Sequence, residues 1–348
     1  MCNLSAVVVH DEASATLSRV SKGRRVMLQA PFVWFGGKSR AATLIWDRLG
    51  DVDNYVEPFF GSGAVLLGRP RVTGTETVND LDGYLANFWR ATQHDPDAVA
   101  MWADNPVNEN DLHARHVWLL QRSETLQASL EGDPEYFDAR VAGWWVWGMA
   151  CWIGSGFCSG KGPWWVNESK QLVRRDADSI GVNRKRVHLS NAGKGVKRGV
   201  DLRAWFTALR DRLRDVRVCS GDWSRVCGDS VTIRHSVTGI VLDPPYADTA
   251  GRDSDIYRID STSVAHDVRE WALAHGDHPL LRIALCGYDG EHQMPDSWAC
   301  VPWKAAGGYG AHGNGRGRDN AARERIWFSP ACDTSPLFRH MDRIETSA

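Results

Sequence analysis

Short apolar runs alternate along this chain with longer stretches of helical periodicity, and most of the runs end in polar or glycine-containing turns. The pattern predicts strands at Val52–Phe60, Thr75–Val78, Val216–Cys219, Gly239–Leu242, Leu280–Cys286 and Arg325–Phe328. It predicts helices at Tyr84–Thr92, after the Asp95-Pro96 cap, across much of 110–152, after Asp201, and at Val264–Ala274. Strands that alternate with helices usually pair in parallel, so we expect an α/β fold with a doubly wound, mostly parallel sheet.

Composition excludes several other classes of protein. Of the 348 residues, 43% are hydrophobic and 24% are charged, which is typical of a folded globular chain. No apolar stretch reaches the roughly 18 residues of a membrane span, and Met1 to Gln29 shows no signal-peptide pattern. The eight cysteines form no C-x-x-C pair, which disfavours a disulfide scaffold or a zinc site. We therefore expect a cytoplasmic protein with reduced thiols and no metal.

Charge is distributed unevenly along the chain. The net charge is only −2, yet residues 157–200 contain ten basic and three acidic residues. A basic segment on an acidic body is typical of a polyanion-binding groove, and a solvated loop is the alternative. The candidate DNA-binding residues in this segment are Lys161, Arg174, Arg175, Arg184, Lys185 and Arg186.

Two glycine motifs suggest close approach of a ligand to the backbone. The first, Glu57-Pro-Phe-Phe-Gly61-Ser-Gly63, lies between a predicted strand and a predicted helix, although a tight turn without a ligand is the alternative. A dinucleotide fingerprint requires a third glycine where Leu66 stands, so a nicotinamide or flavin cofactor is disfavoured. The second, which ends in Gly37-Lys38-Ser39, has Phe32 where a phosphate-binding loop has its first glycine, so ATP hydrolysis is not predicted.

Two carboxylates at predicted strand ends complete the pattern. Asp80 follows Gly61 by 19 residues, the spacing at which an acidic residue binds the hydroxyls of a ribose. Asp243-Pro-Pro-Tyr246 ends an apolar strand, and its two prolines remove two N–H donors from a rigid turn. A carboxylate, a neighbouring carbonyl and an aromatic face could together bind the exocyclic amine of a nucleobase. The alternative interpretation is a proline-rich turn that binds no ligand.

These motifs resemble, in the same order, those of the DNA adenine methylases, which are S-adenosylmethionine-dependent DNA (adenine-N6) methyltransferases. The motifs that carry the resemblance are Pro31-Phe-Val-Trp34-Phe-Gly-Gly-Lys38, Tyr55-Val-Glu-Pro-Phe-Phe-Gly-Ser-Gly63, Asn79-Asp80 and Asp243-Pro-Pro-Tyr246. The resemblance covers about residues 31–330, and the ending at Arg325–Pro330 is similar to solitary phage or prophage enzymes. It implies a class I methyltransferase sheet, S-adenosylmethionine as cofactor, double-stranded DNA as partner, and no obligate protein partner.

The resemblance also implies residue roles. The implied cofactor-binding residues are Trp34, Lys38, Glu57, Gly61, Gly63, Asp80 and Asp243. In the implied catalytic set, Asp243 and the Pro244 carbonyl accept the hydrogens of the target amine, and Tyr246 stacks on a flipped adenine. The implied organisation is a variable extension (1–28), a catalytic domain (29–93 and 201–330), an inserted helical and loop-rich target-recognition region (94–200) and a tail (331–348).

The sequence departs from the best-known members in the insert. Members that recognise GATC carry a segment rich in Asn and Phe where this chain has Gly154–Trp165, so the recognition sequence stays open. Methylation of cytosine N4 is one alternative, which Asp243 disfavours because Ser is expected there. A protein-glutamine methyltransferase, whose motif usually begins with Asn, and a decayed methylase that only binds DNA are the others.

Overall fold

The computed structural model describes residues 28–32, 34, 37–133, 135–152, 157–158, 164–167, 169, 172–174, 201–246, 263–304 and 323–332. Within these ranges, no helix is long and apolar enough to cross a membrane.

The described strands are β1 (Asn54–Glu57), β2 (Thr75–Asp80), β3 (Trp164–Val166), β4 (Leu172–Arg174), β5 (Val216–Ser220), β6 (Thr238–Leu242), β7 (Leu281–Tyr288), β8 (Ala299–Pro302) and β9 (Glu324–Phe328). The described helices are α1 (Ala42–Leu49), α2 (Ala64–Leu67), α3 (Gly83–His94), α4 (Pro96–Ala103), α5 (Glu109–Leu120), α6 (Ser123–Gly132), α7 (Ala139–Cys151), α8 (Leu202–Leu213) and α9 (Val264–His275). The helix expected after the Asp95-Pro96 cap is α4, and the side chain of Asp95 accepts a hydrogen bond from the Ala98 N–H.

Seven strands form one sheet in the order β5-β2-β1-β6-β7-β9-β8. The first five run parallel to one another, and β9 pairs antiparallel with β7 and β8. The mostly parallel sheet predicted from the sequence is thus confirmed. The strand order reverses between β1 and β6, and ligands of such sheets bind beyond the carboxyl ends of the strands at this reversal.

Alternate residues of the central strands face two separate apolar layers. Tyr55 of β1 and Val241 of β6 pack into a layer that includes residues of α1, α3, α4, α7 and α8. Val56 and Ile240 pack into the opposite layer, with residues of α9. Because both faces are covered, β1 and β6 are buried along their whole length, as central parallel strands are.

Several short elements were absent from the sequence prediction. The sequence predicts a helical and loop-rich region at 94–200, but β3 and β4 pair within it as an antiparallel hairpin. Three-residue strands are too short to show the alternation on which a strand prediction depends. Edge strand β8 was missed for a related reason, since only Val301 of its four residues is buried.

The helices of residues 94–152 share a core with the sheet. Val99 of α4 and Trp145 of α7 belong to the same apolar cluster as Tyr55 of β1. Trp145 also packs edge-on against Phe32, with ring centroids 5.1 Å apart. The helices of residues 94–152 therefore support the apolar layer against which Phe32 packs, and their assignment to an inserted region stays a prediction.

Asn87 joins α3 to the first turn of α7. Its buried side chain donates to the Asp138 carbonyl (2.9 Å) and accepts from the Asp138 N–H (2.8 Å). Asp138 in turn caps α7 by accepting from the Val141 N–H at 2.8 Å. One amide side chain thus satisfies two backbone groups at the point where the helical region meets the sheet domain.

We expect Asn87→Ala to lower the free energy of unfolding by about 1 to 3 kcal/mol, because it leaves the Asp138 peptide groups without their partners. Urea unfolding followed by circular dichroism measures the change. The matched control is Asn110→Ala on the exposed face of α5, which should change stability by less than about 0.5 kcal/mol. Equal losses in the two variants would contradict the assigned role of Asn87.

Candidate active site

Four strand ends surround a cavity of about 370 Å³ at the carboxyl edge of the sheet. Each strand or the turn after it contributes an acidic residue to the wall: Glu57 from β1, Asp80 from β2, Asp222 after β5 and Asp243 after β6. The arrangement follows from the topology, since parallel strands present their carboxyl ends at a single edge. The volume lies within the range of pockets that bind small molecules.

The glycine turn after β1 has a structural basis of its own. Gly61 and Gly63 have φ values of +49° and +64°, which side-chain-bearing residues rarely adopt. A Cβ atom on Gly61 would also lie 2.7 Å from the Trp34 indole, which packs over the turn. These glycines are therefore required by backbone conformation and by aromatic packing, which favours the tight turn that the sequence leaves as the alternative to close approach of a ligand.

Asp80 and Asn79 fix this turn to the neighbouring strands. The Gly61 N–H donates to Asp80 Oδ2 at 3.0 Å, and the Asp82 N–H donates to Asp80 Oδ1 at 2.9 Å. The buried Asn79 amide donates to the carbonyls of Pro58 (3.1 Å) and Gly221 (2.9 Å). The ends of β1, β2 and β5 are thus held together by side chains that line the cavity themselves.

A buried ion pair lies at the inner end of the cavity. Lys38, which is 3% exposed, places Nζ 2.7 Å from Asp243 Oδ1 and donates to Tyr246 Oη at 3.0 Å. Tyr246 Oη donates in turn to Glu324 Oε2 at 2.8 Å. Burial lowers the pKa of Lys38, but the charges of Asp243 and Glu324 outweigh this effect, so its pKa lies above the ordinary value and the ammonium stays charged.

The carboxyl groups around the cavity are shifted toward their protonated forms. Burial raises the pKa of Glu57 to about 8, although the hydrogen bond from Tyr55 Oη (2.8 Å) opposes the shift. Burial raises the pKa of Asp80 to about 6 against the hydrogen bonds from Asp82 and Gly61. Burial also raises the pKa of Asp243, opposed by Lys38. A cation bound in the cavity would favour the ionised forms of these groups.

The structure brings most of the predicted site residues together. Those in the cavity wall are Trp34, Lys38, Glu57, Gly61, Asp80 and Asp243. Tyr246 does not line the cavity: its ring is buried edge-on against Tyr288, with centroids 4.6 Å apart, and its hydroxyl is hydrogen-bonded. Gly63 and Pro244 lie in the two turns without lining the wall.

Most of the predicted DNA-binding residues are not among those that the structure describes. Lys161, Arg175, Arg184, Lys185 and Arg186 lie outside the described residues. The backbone of Arg174 ends strand β4, where it pairs with Trp164. The DNA-binding role of this segment therefore stays a prediction.

Sequence reasoning missed several residues of the site. Asp222, Trp223 and Phe59 line the cavity, and the rings of Phe59 and Trp223 lie at an interplanar angle of 26° with centroids 6.3 Å apart. Asp222 lies two residues after the end of β5, so the rule that singled out Asp80 and Asp243 could have found it. Glu324 carries no comparable signal, because it begins an antiparallel strand.

Within the described ranges, no group of three or more His, Cys, Asp or Glu residues is placed to hold a metal ion. The acids of the cavity wall are therefore not arranged as a metal centre. Their number and their aromatic neighbours suit an organic ligand that combines positive charge with a planar ring.

Residues 34–136 match the family model of D12 class N6 adenine-specific DNA methyltransferases. The matched range includes Trp34, Lys38, the glycine turn and Asp80, and it ends before Asp243. No curated protein matches the chain.

We expect Glu57 to make the protein less stable as the pH rises from about 5 to about 8. Its native pKa of about 8 lies above its ordinary value of 4.5, so the stability it contributes is complete below the lower value and is lost through the higher one. Glu57→Gln, which mimics the protonated carboxyl, should flatten part of this fall in urea unfolding. The exposed Glu124→Gln variant should keep the wild-type slope. An unchanged slope in Glu57→Gln would contradict this assignment.

Proposed function

Because residues 34–136 belong to the D12 class of N6 adenine-specific DNA methyltransferases, we propose that this chain transfers a methyl group from S-adenosylmethionine to adenine N6 in duplex DNA. The family match supports adenine-N6 methylation, a methyl donor and a DNA substrate. The seven-stranded, mostly parallel sheet is consistent with the class I methyltransferase fold. The observation that carries the proposal is the acidic cavity that ends at Asp243, beside the strand reversal.

The cavity residues fit S-adenosylmethionine. This ligand carries a positive sulfonium and a positive amino group, and Glu57, Asp80 and Asp222 supply negative charge along the wall. Trp223 and Phe59 offer aromatic faces to the planar adenine of the ligand, and the Asp222 carboxylate can accept from its exocyclic amine. When bound, the ligand supplies an electrophilic methyl group.

We assign the remaining cofactor contacts by position along the strand ends. Trp34, Lys38 and the turn with Glu57, Gly61 and Gly63 enclose the methionine part of the ligand. Asp80 binds the ribose hydroxyls: its two oxygens accept from the Gly61 and Asp82 N–H groups, and a carboxylate has about four lone-pair sites, so acceptor capacity remains.

Asp243 activates the target amine. Its Oδ1 is held by Lys38, and its side chain is 22% exposed toward the cavity, so the carboxylate can accept one N6 hydrogen while the Pro244 carbonyl accepts the other. These two hydrogen bonds would raise the electron density on the nitrogen, and bound S-adenosylmethionine would supply the methyl carbon to its lone pair, with the sulfur as the leaving group. The nitrogen then loses one proton to Asp243. Alignment of the reacting atoms can lower the barrier by about 7 to 11 kcal/mol.

The target adenine has to leave the base pair to reach Asp243, at a cost of a few kcal/mol. Phosphate contacts of the basic segment at 157–200 supply the compensating free energy, and the insert at 94–200 reads the recognition sequence. Residues 29–93 and 201–330 form the catalytic part in this scheme. Tyr246 stacks on the flipped base only if its ring moves out from beside Tyr288.

Sequencing of single DNA molecules from a host that expresses the chain tests the proposed function. Methyl groups on adenine N6 within one recurring sequence are expected. Methyl groups on cytosine N4 would support the first alternative. No DNA methylation together with no binding of S-adenosylmethionine would support a decayed methylase that only binds DNA.

Asp243→Ala should lower the rate of methyl transfer by about 10²- to 10⁴-fold, because the amine loses its carboxylate acceptor. DNA binding should survive, since the phosphates are bound elsewhere. Transfer of tritiated methyl groups measures the rate, and a DNA gel shift on the same preparation measures binding. Activity within a few-fold of the wild type would remove Asp243 from the catalytic role.

Replacement of Arg184, Lys185 and Arg186 by Glu should weaken DNA binding and reduce its salt dependence. Each lost phosphate contact lowers the log–log slope by about 0.9. The same charge change at the exposed Arg71, Arg203 and Arg214 serves as the control and should leave the slope nearer the wild-type value. Equal effects of the two triple variants on the salt dependence would instead support the interpretation of the basic segment as a solvated loop.

A further inference from the structure

The hydroxyl of Tyr246 lies between charged groups that come from three distant parts of the chain. Lys38 Nζ is 3.0 Å away, Glu324 Oε2 is 2.8 Å away and Asp243 Oδ1 is 3.4 Å away. The side chains of Lys38, Tyr246 and Glu324 are buried, and that of Asp243 is 22% exposed. A single hydrogen on the Tyr246 oxygen therefore has two competing carboxylate acceptors.

The geometry decides which carboxylate receives that hydrogen. An ammonium group only donates, so Lys38 uses a lone pair of the Tyr246 oxygen and leaves its hydrogen free. Glu324 lies within the ordinary O–H···O distance, whereas Asp243 lies beyond it. The hydroxyl therefore donates to Glu324, and Asp243 Oδ1 accepts chiefly from Lys38.

The fold fixes Glu324 in this position. Glu324 is the first residue of β9 and is paired with Tyr288 at the end of β7. The ring of Tyr288 in turn packs against the ring of Tyr246, so both ends of the contact rest on one antiparallel pair of strands. Because β9 joins the sheet beside β7, the Glu324 side chain reaches the Tyr246 hydroxyl from a neighbouring strand.

We propose that Glu324 is a positioning residue for methyl transfer: it holds the Tyr246 hydroxyl hydrogen away from Asp243, so that Asp243 keeps its capacity to accept a hydrogen from the target amine. The inference rests on the proposed function, because it assigns Asp243 to that amine. Without Glu324, the Tyr246 hydroxyl would turn to Asp243. Asp243 Oδ1 would then accept from both Lys38 and Tyr246 before the substrate binds.

Glu324→Leu should lower kcat by about 10- to 100-fold, the scale on which a misplaced reacting group acts. KM for DNA and for S-adenosylmethionine should stay within about twofold, because Glu324 does not line the cavity. Glu324→Gln keeps an oxygen that accepts from Tyr246 and should retain kcat within about threefold of the wild type. A residue that only stabilises the fold would not lower kcat while it leaves both KM values unchanged.

A double variant tests the route through Tyr246. Tyr246→Phe removes the hydroxyl that would turn to Asp243, so the addition of Glu324→Leu should lower kcat by less than about twofold further. A purely structural role predicts that the full loss from Glu324→Leu appears in both backgrounds, and that result would overturn the proposal.

Glu291→Leu is the matched control for stability. It removes a second buried carboxylate, whose Oε2 accepts from the Tyr288 N–H at 2.7 Å, and we expect a lower Tm with kcat within about twofold. If Glu324→Leu does not fold, Glu324→Gln decides: a loss above about tenfold that persists with Tyr246→Phe would overturn the proposal. An inactive wild type would overturn the proposed function as well, whereas an active wild type with an unimpaired Glu324→Leu would overturn this proposal alone.

Discussion

The ion pair between the buried Lys38 and Asp243 joins the segment before α1 to the end of the central strand β6. A buried ion pair gains little net stability, because each charge gives up its hydration. Two further groups make burial tolerable here: the Tyr246 hydroxyl accepts from Lys38, and Glu324 adds a second negative charge nearby. The cluster of Lys38, Asp243 and Glu324 holds an excess of one negative charge when all three groups are ionised, which suits a site for a cation.

The acidic wall has the same origin as the ion pair, namely the direction of the strands. Every parallel strand ends at the same edge, so residues that follow different strands are crowded together whatever their separation in sequence. Glu57 and Asp80 lose hydration there, and burial raises the pKa of both. A cationic ligand would restore the lost electrostatic stabilisation, so the raised pKa values and the suitability of the wall for a cation have one cause.

Residues that directly follow an apolar run could be predicted from the sequence, because position at a strand end implies position in the site. Asp80 and Asp243 are predicted in this way, whereas Glu57 is implied by the resemblance of its glycine motif. Glu324 could not be predicted in this way, because it begins the antiparallel strand β9. Only the register of that strand places it beside Tyr246, which is 78 residues away in the sequence. The contact between Lys38 and Tyr246, 208 residues apart, also leaves no local pattern. Short edge elements such as β8 were missed because they bury too few side chains to show a period.

The charge of the cavity also constrains how DNA could approach it. Acidic residues that favour a cationic cofactor repel phosphate groups, and the repulsion is strong where water is excluded. A nucleobase is neutral, so an adenine turned out of the helix can enter where the backbone that carries it cannot. The phosphates then have to be bound at a distance from Asp243, by residues of the opposite charge. A chain with a net charge of only −2 and ten basic residues within 157–200 has the uneven distribution that this separation requires.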